Sequence, residues 1–583
     1  MSWRRGVPAG TPVRGGAPAG DRNPPGSSTA PGNRAAAADG GAVSDPGTVS
    51  DLAATPPGIR RLHATIPARA GLGATAVSIA LTLTVAVLGP SVMEPALPGR
   101  PGQPPWAFAA HPSAYLAVAL TFAAIVAGCL GLAVTMRAAR LGWSVSPRLL
   151  LTAGLIAAAV LVLLPPFGSS DHLSYAAYGR MLATGHNPYL TTPNALARLG
   201  DPIARAVQDW RTSPSVYGVL ATGGQALASL IGGTSVRLTV FVLSLLNLAG
   251  FAVTGLLLHR LAAGDRSRQL RAALLWTCNP LLLLVLVAGE HVDSQAIVFG
   301  VAAVAAFAVT LRRAAAGATW RCVPWAFAAG LLAGLGFAVK LSMLLVAVGL
   351  AAACLLAWAR TPDRARAWAP AASALAGLTA GFAAVTAAAL AIGGLTSLRP
   401  ALRAGSYVAI GTPWRWVRAA IGLAAGEGIA DDIVKVAAAV TVLVLAWLLL
   451  RGLPRPGGAP GLDGGPWLTG PAGVDGPQAA GLAGLAALAF VLAWLTAGPY
   501  VLPWYDGLAW ALLPLLPWSA IDWLVLARTT ALAIGYLPAR AIVMPAGLDW
   551  LVTVVRRGVT PALLLVVAVL LVVTVRSRKP VRP

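Results

Sequence analysis

Charge is scarce in this chain. Asp, Glu, Lys and Arg together make up 11% of its 583 residues, against roughly 25% in soluble globular proteins. That shortage excludes the string of soluble domains that the length alone would suggest. Acidic residues are scarcer than basic ones, 20 against 43, and only Lys340, Lys435 and Lys579 are lysines. Cysteine is scarcer still: Cys129, Cys278, Cys322 and Cys354 lie in or beside apolar runs with no CxxC spacing. They read as small buried hydrophobes, which excludes a disulfide framework or a zinc site. Hydrophobic residues fill the space, 57% of the chain, in uncharged runs such as Leu149–Pro166 and Leu341–Trp358. Each of these runs is 18 residues long, about the length that crosses a bilayer core. The sequence predicts a polytopic membrane protein.

The basic excess gives a net charge of +23. Such a balance can mean nucleic acid, but the arginines sit mainly in short loops between apolar runs. They point to anionic phospholipids as partners and to no nucleic acid. Residues 1–70 are rich in Gly, Pro, Ala and Ser, with eight arginines against four aspartates. No apolar stretch follows Arg4 and Arg5, so the segment reads as a disordered basic cytoplasmic tail rather than a signal peptide. A second basic tail is expected at 576–583, and a membrane domain at 71–575 between them.

Thirteen crossings are expected, at 71–91, 113–135, 149–166, 236–258, 273–289, 296–311, 324–339, 341–358, 370–392, 432–450, 477–497, 507–526 and 559–575. The segments 215–233 and 529–553 are ambiguous. Arginine-rich loops at 136–148, 259–272, 311–321 and 359–369 read as cytoplasmic by the positive-inside rule. With the N-terminus inside, 167–213, the 290–295 turn, the Lys340 turn, 393–431 and 498–506 face outward. Loop parity then requires 215–233 to be re-entrant or interfacial. Gly330, Gly334 and Gly336 lie inside an apolar run and predict close helix packing rather than a nucleotide loop.

Ionisable residues in such surroundings are functional suspects, because a charge at the membrane centre costs about 2.5–3.5 kcal/mol even on lenient scales. The outward set holds Asp171, His172, Arg180, Glu290, His291, Asp293, Lys340, Arg399, Arg403 and Asp506. Asp171, Tyr175 and Tyr178 recur at i, i+4 and i+7, one face of a short helix. An Asp at a helix start also reads as an N-cap. Trp210 and Tyr217 read as aromatic anchors in the head-group layer. His291 with Asp293, two apart, fits no specific metal motif, and no metal site is expected. Lys340 stands alone in an apolar stretch of 34 residues from Val323 to Leu356. It reads as a phosphate ligand or as a snorkelling lysine.

The order Asp171…Tyr175…Tyr178-Gly-Arg…Asn187-Pro-Tyr, Asn279-Pro…His291-Val-Asp293, Lys340, Thr412-Pro-Trp and Pro499-Tyr-Val-Leu-Pro-Trp-Tyr505 resembles a family. It is similar to the polyprenol-phosphomannose-dependent α-1,6-mannosyltransferases of the GT-C superfamily, over roughly residues 70–575. The resemblance implies an all-α polytopic transmembrane bundle of GT-C type, with a large catalytic outer loop at 167–213 carrying short amphipathic helices. It also implies a multi-pass enzyme of the plasma membrane with its active site on the outer face. Asp171 would be the general base, the donor a polyprenyl phosphomannose in place of a nucleotide sugar, and the acceptor a mannan or lipoglycan. His172, directly after the base, departs from the pattern. No cofactor is implied with certainty, and divalent-metal dependence stays open.

Transfer from such a donor needs a carboxylate near the acceptor hydroxyl and a cation at the leaving phosphate. Asp171 meets the first need; Lys340, Arg180, Arg399 or Arg403 meets the second. Tyr175, Tyr178, Trp414, Trp504 and Tyr505 suit stacking on sugar faces and on a prenyl chain, with His172, His291 and Asp293 as further substrate ligands. The rival reading is a transporter or flippase of a lipid-linked or anionic solute, which would share the buried charges and broken helices.

Overall fold

Among the residues that the computed structural model describes (57–452, 476–539 and 544–577), the regular secondary structure is helical, with no strand. In lipid this follows from chemistry, since a helix pairs its own backbone groups where no water can. The helices are α1 (Pro57–Leu88), α2 (Ala114–Arg140), α3 (Pro147–Val162), α4 (Asp171–Ala183), α5 (Val219–Gly232) and α6 (Val236–Leu261). Then come α7 (Arg266–Ala288), α8 (Asp293–Ala315), α9 (Thr319–Val339), α10 (Leu344–Arg360) and α11 (Arg364–Gly393). The last five are α12 (Trp414–Ala425), α13 (Glu427–Arg451), α14 (Gly476–Ala497), α15 (Ala520–Gly535) and α16 (Ala546–Arg576). Local signals set the starts: Ser113, Ser146 and Ser235 each accept a backbone N–H of the first turn, which a helix entering apolar surroundings otherwise leaves orphaned.

Among the described residues, ten helices are long and apolar enough to cross a membrane; α3, α5 and the apolar part of α14 are shorter. Two expectations change. The basic tail placed at 1–70 lies outside the described residues up to 56, but its last part, from Pro57, is already α1. Most of the expected 576–583 tail also lies outside them. The run 507–526 is not one helix: a short helix at Gly507–Leu512 is followed by a break, and α15 starts afresh at Ala520. Pro514 and Pro517 remove backbone donors there, and Ser519 with Asp522 forms a capping box that restarts the helix. At 14 residues, α5 is about 21 Å long, short of the roughly 30 Å core.

The glycines named above pack helices. A Cβ on Gly330 would collide with the Leu378 carbonyl, and one on Gly381 with that of Phe327, so α9 and α11 meet backbone to backbone. Direction matters more for the site. α8 starts at Asp293 and ends at Arg312 and Arg313; α9 returns to Lys340; α10 leaves again to Arg360. Asp293 and Lys340 therefore lie at one end of these helices, and the arginines at the other.

Candidate active site

Asp171 opens α4, but its carboxylate caps nothing. Its own backbone N–H is taken by Ser169 Oγ at 3.1 Å, and the N-cap residue is Ser170. The capping role left open by the sequence is not this carboxylate's role. Tyr175 and Tyr178 follow on the same face, as the spacing predicts, and both meet Tyr217, edge-on at 5.0 Å and tilted at 6.4 Å. The Tyr175 hydroxyl lies 3.4 Å from His291 Nδ1 and accepts from the Tyr217 hydroxyl at 3.4 Å. Tyr178 instead donates to the Ser213 carbonyl at 3.1 Å.

His291 arrives from the turn between α7 and α8. Glu290 takes a left-handed φ of 52° there, a strain of about 1–3 kcal/mol for a residue with a side chain. Glu290 is buried with its side chain turned towards Ser244 of α6, and His291 faces the cluster. Its ring stacks on Trp504 with centroids 3.5 Å apart, and Nδ1 stands 3.7 Å from Asp171 Oδ2. Burial, then Lys340 and His172, hold this imidazole well below its ordinary range, so it is neutral. His172 itself is fully buried behind it.

Asp293 accepts from Lys340 Nζ with both oxygens at 2.7 Å. The same Nζ sits 4.0 Å from the centre of the Tyr505 ring, a cation–π contact. Trp504 and Tyr505 ride on the turn Pro503–Asp506. Asp506 is a buttress of that turn: it is fully buried, paired with Arg528, and accepts from Thr529 Oγ1 at 2.8 Å.

Asp171 is the electrostatic centre. Burial raises its carboxyl to about 7, with Asp209 and Asp293 adding to the rise and Lys340 and the Trp210 indole opposing it. A carboxylate at that value is half ionised at neutral pH, which suits a general base. At His291 and Trp504 opens a small apolar cleft whose lining also includes Ile125, Phe167, Leu284 and Leu537.

Asp171, His172, Tyr175, His291, Asp293, Lys340, Trp504 and Tyr505 thus converge, with Tyr178 at the margin. Three expected ligands do not join them. Arg180 is engaged by Asp201 at 2.7 Å and the Gly233 carbonyl at 3.5 Å. Arg399 and Arg403 stand exposed on the short helix Arg399–Ala404. Trp414, proposed for stacking, donates its indole N–H to the Ala497 carbonyl at 2.7 Å. The sequence reading missed Asp209 and took Trp210 and Tyr217 for lipid anchors; all three come from loops without periodicity.

Residues 70–360 match the family described as alpha-(1->6)-mannopyranosyltransferase, N-terminal domain. Alpha-(1->6)-mannopyranosyltransferase A of Corynebacterium glutamicum is 27% identical over 183 residues, 31% of this chain and 36% of that protein. Alpha-(1->6)-mannopyranosyltransferase B of the same organism is 32% identical over 137 residues, 23% of each chain. A probable alpha-(1->6)-mannopyranosyltransferase of Mycolicibacterium smegmatis is 32% identical over 142 residues, 24% of this chain and 25% of that protein. The chain therefore spans about a quarter to a third of the length of the curated relatives it matches. No solved structure matches it.

Proposed function

This chain belongs to the alpha-(1->6)-mannopyranosyltransferase family, and from that premise we propose that it moves mannose from a polyprenyl phosphomannose to a mannan-type acceptor. The observation that carries the reading is Asp171: a nearly buried carboxylate that caps no helix, raised to about 7, and set beside a buried lysine. In the reaction a sugar hydroxyl oxygen attacks the anomeric carbon of the donor. The bond from that carbon to the phosphate oxygen breaks, the electron pair leaves with the phosphate, and Asp171 takes the hydroxyl proton.

Lys340 has three N–H donors. Two point to Asp293, which leaves one for the leaving phosphate, and this favours Lys340 over the exposed Arg399 and Arg403. Neutral His291, stacked on Trp504, fixes the wall between base and cleft. The apolar cleft suits the first prenyl units of the donor. Asp293 and Lys340 lie at the helix ends remote from Arg312, Arg313 and Arg360. Through the positive-inside rule this separation supports a site on the outer face of the plasma membrane, with the arginines among anionic phospholipids on the inner one.

The test is an incubation of the purified full chain, in detergent, with radiolabelled polyprenyl phosphomannose and short α-mannosides. Detergent makes transport irrelevant, so the rival transporter reading forms no product. Label in a longer mannoside supports the assignment; label that stays on the lipid contradicts it.

A further inference from the structure

Beside Asp171, on the open side, lies a group of residues that the chemistry above does not use. Asp209 and Trp210 belong to the loop that follows the short helix Pro202–Arg205. The loop is tied to α4: Asp209 Oδ2 accepts from Ser170 Oγ at 2.5 Å, and the Asp209 carbonyl accepts from Ser174 Oγ at 3.3 Å. Trp210 is held in the left-handed region at φ 61°, a strained setting for a side-chain-bearing residue. Its indole lies close enough to Asp171 to oppose the rise of that carboxyl, yet the residue stays 40% exposed. A tryptophan set beside the base belongs to the site rather than to a lipid belt.

The Trp210 ring runs parallel to that of Tyr407, within 7° at 6.3 Å between centroids. Tyr407 is itself 37% exposed. From Tyr407 the aromatic row continues edge-on to Tyr500 at 6.2 Å and on to Tyr505 at 6.4 Å, the ring under Lys340. The row links the phosphate end of the site to the open side, with Asp171 beside it. Two exposed parallel rings next to two carboxylates select a ligand class. An anion would be repelled by Asp171 and Asp209, and a purely apolar group would cover both carboxylates without giving either a further donor. A neutral sugar ring has apolar C–H faces for the rings and hydroxyl donors for the carboxylates.

We propose that Trp210, Tyr407 and Asp209 form the acceptor subsite, in which a neutral pyranose stacks on the two rings and gives one hydroxyl proton donor to Asp209. The attacking hydroxyl of the same sugar is thereby presented to Asp171. This rests on the mannosyltransferase reading and deepens it by naming where the acceptor lies.

Two measurements on the full chain in detergent test it. In steady-state transfer, Tyr407→Ala raises the acceptor KM by about tenfold, the scale of one lost aromatic stacking contact, while the donor KM stays unchanged. Tyr407→Phe, which keeps the ring, restores the wild-type acceptor KM, and Tyr407→Leu serves where the Ala variant does not fold. Without donor, saturation transfer in NMR from the protein to α-1,6-mannobiose is strong for the wild type and weak for Tyr407→Ala. An unchanged acceptor KM, or a rise confined to the donor KM, overturns the subsite. Mannobiose binding that depends on Tyr407 in a chain that transfers no mannose keeps the subsite and sinks the transfer reading. Absence of both binding and transfer overturns both.

Discussion

Two buried ion pairs, Arg271–Asp522 and Lys340–Asp293, invite comparison, because the same kind of interaction has been put to opposite uses. Arg271 and Asp522 are 3% and 0% exposed, and 2.5 Å apart. The guanidinium also donates twice to the Leu513 carbonyl and lies 4.0 Å over the Trp518 ring. Asp522 in turn completes the capping box of α15. Every neighbour of this pair belongs to the fold, and it ties the broken 507–526 run to α7. Lys340 and Asp293 have side chains 13% and 6% exposed, and their neighbours include the Tyr505 ring and the carboxylate of Asp171. One pair is closed on itself; to the other the proposed reaction assigns a third N–H for the leaving phosphate. Burial of a charge marks importance, and only the surroundings say which kind.

The comparison breaks most visibly on folding. Arg271→Met strands Asp522 in apolar surroundings and is expected to cost about 3–5 kcal/mol, the scale for removing one partner of a buried pair. Fluorescence-detected size exclusion should show little folded protein. A normal elution profile would show that the pair does not hold the bundle.

The open pair should fail in rate instead. In the double variant Lys340→Met with Asp293→Asn no charge is left stranded, so the protein should elute as wild type. Transfer should nevertheless fall by about 10²-fold, the scale of one lost electrostatic stabiliser. Wild-type turnover of the double variant would make Lys340 a snorkelling residue.

A smaller effect sharpens the role of the loop carboxylate. Asp171 must be ionised to act as base, so activity should fall as pH drops through about 7. Asp209 and Asp293 push that value up, while Lys340 and the Trp210 indole pull it down; His291 faces the same carboxylate and is neutral. Asp209→Asn removes one upward push, and the acidic limb of the pH–rate profile should move to lower pH. A limb that stays put or moves upward would contradict the contact.

Much of the fold was legible because apolar runs with serine caps and terminal arginines leave a helix few alternatives. α2, α6 and α8 through α11 lie within a few residues of their expected positions, and Gly330 packs as foreseen. The break in 507–526 was also written in the sequence, as Pro514 and Pro517, but the apolar composition outweighed it. At the site, Asp171, Tyr175, His291, Asp293 and Lys340 were legible as isolated polar residues in apolar surroundings, the condition that membrane burial makes conspicuous. Arg180 looked the same and was not, because its partner Asp201 lies 21 residues away in an irregular loop. Asp209 and Trp210 were illegible for the matching reason: their positions follow from a left-handed turn and from loop-to-helix hydrogen bonds, which no periodicity announces.

The central claim is that Asp171 takes the acceptor proton, and Asp171→Asn tests it most directly. The change is nearly isosteric and disturbs no cap, so the amount of protein in membranes should equal wild type. Transfer of radiolabelled mannose from polyprenyl phosphomannose should fall by about 10²- to 10⁴-fold, the contribution of a positioned general base. Transfer by Asp171→Asn at near wild-type rate would contradict the account and move the base to another group of the cluster.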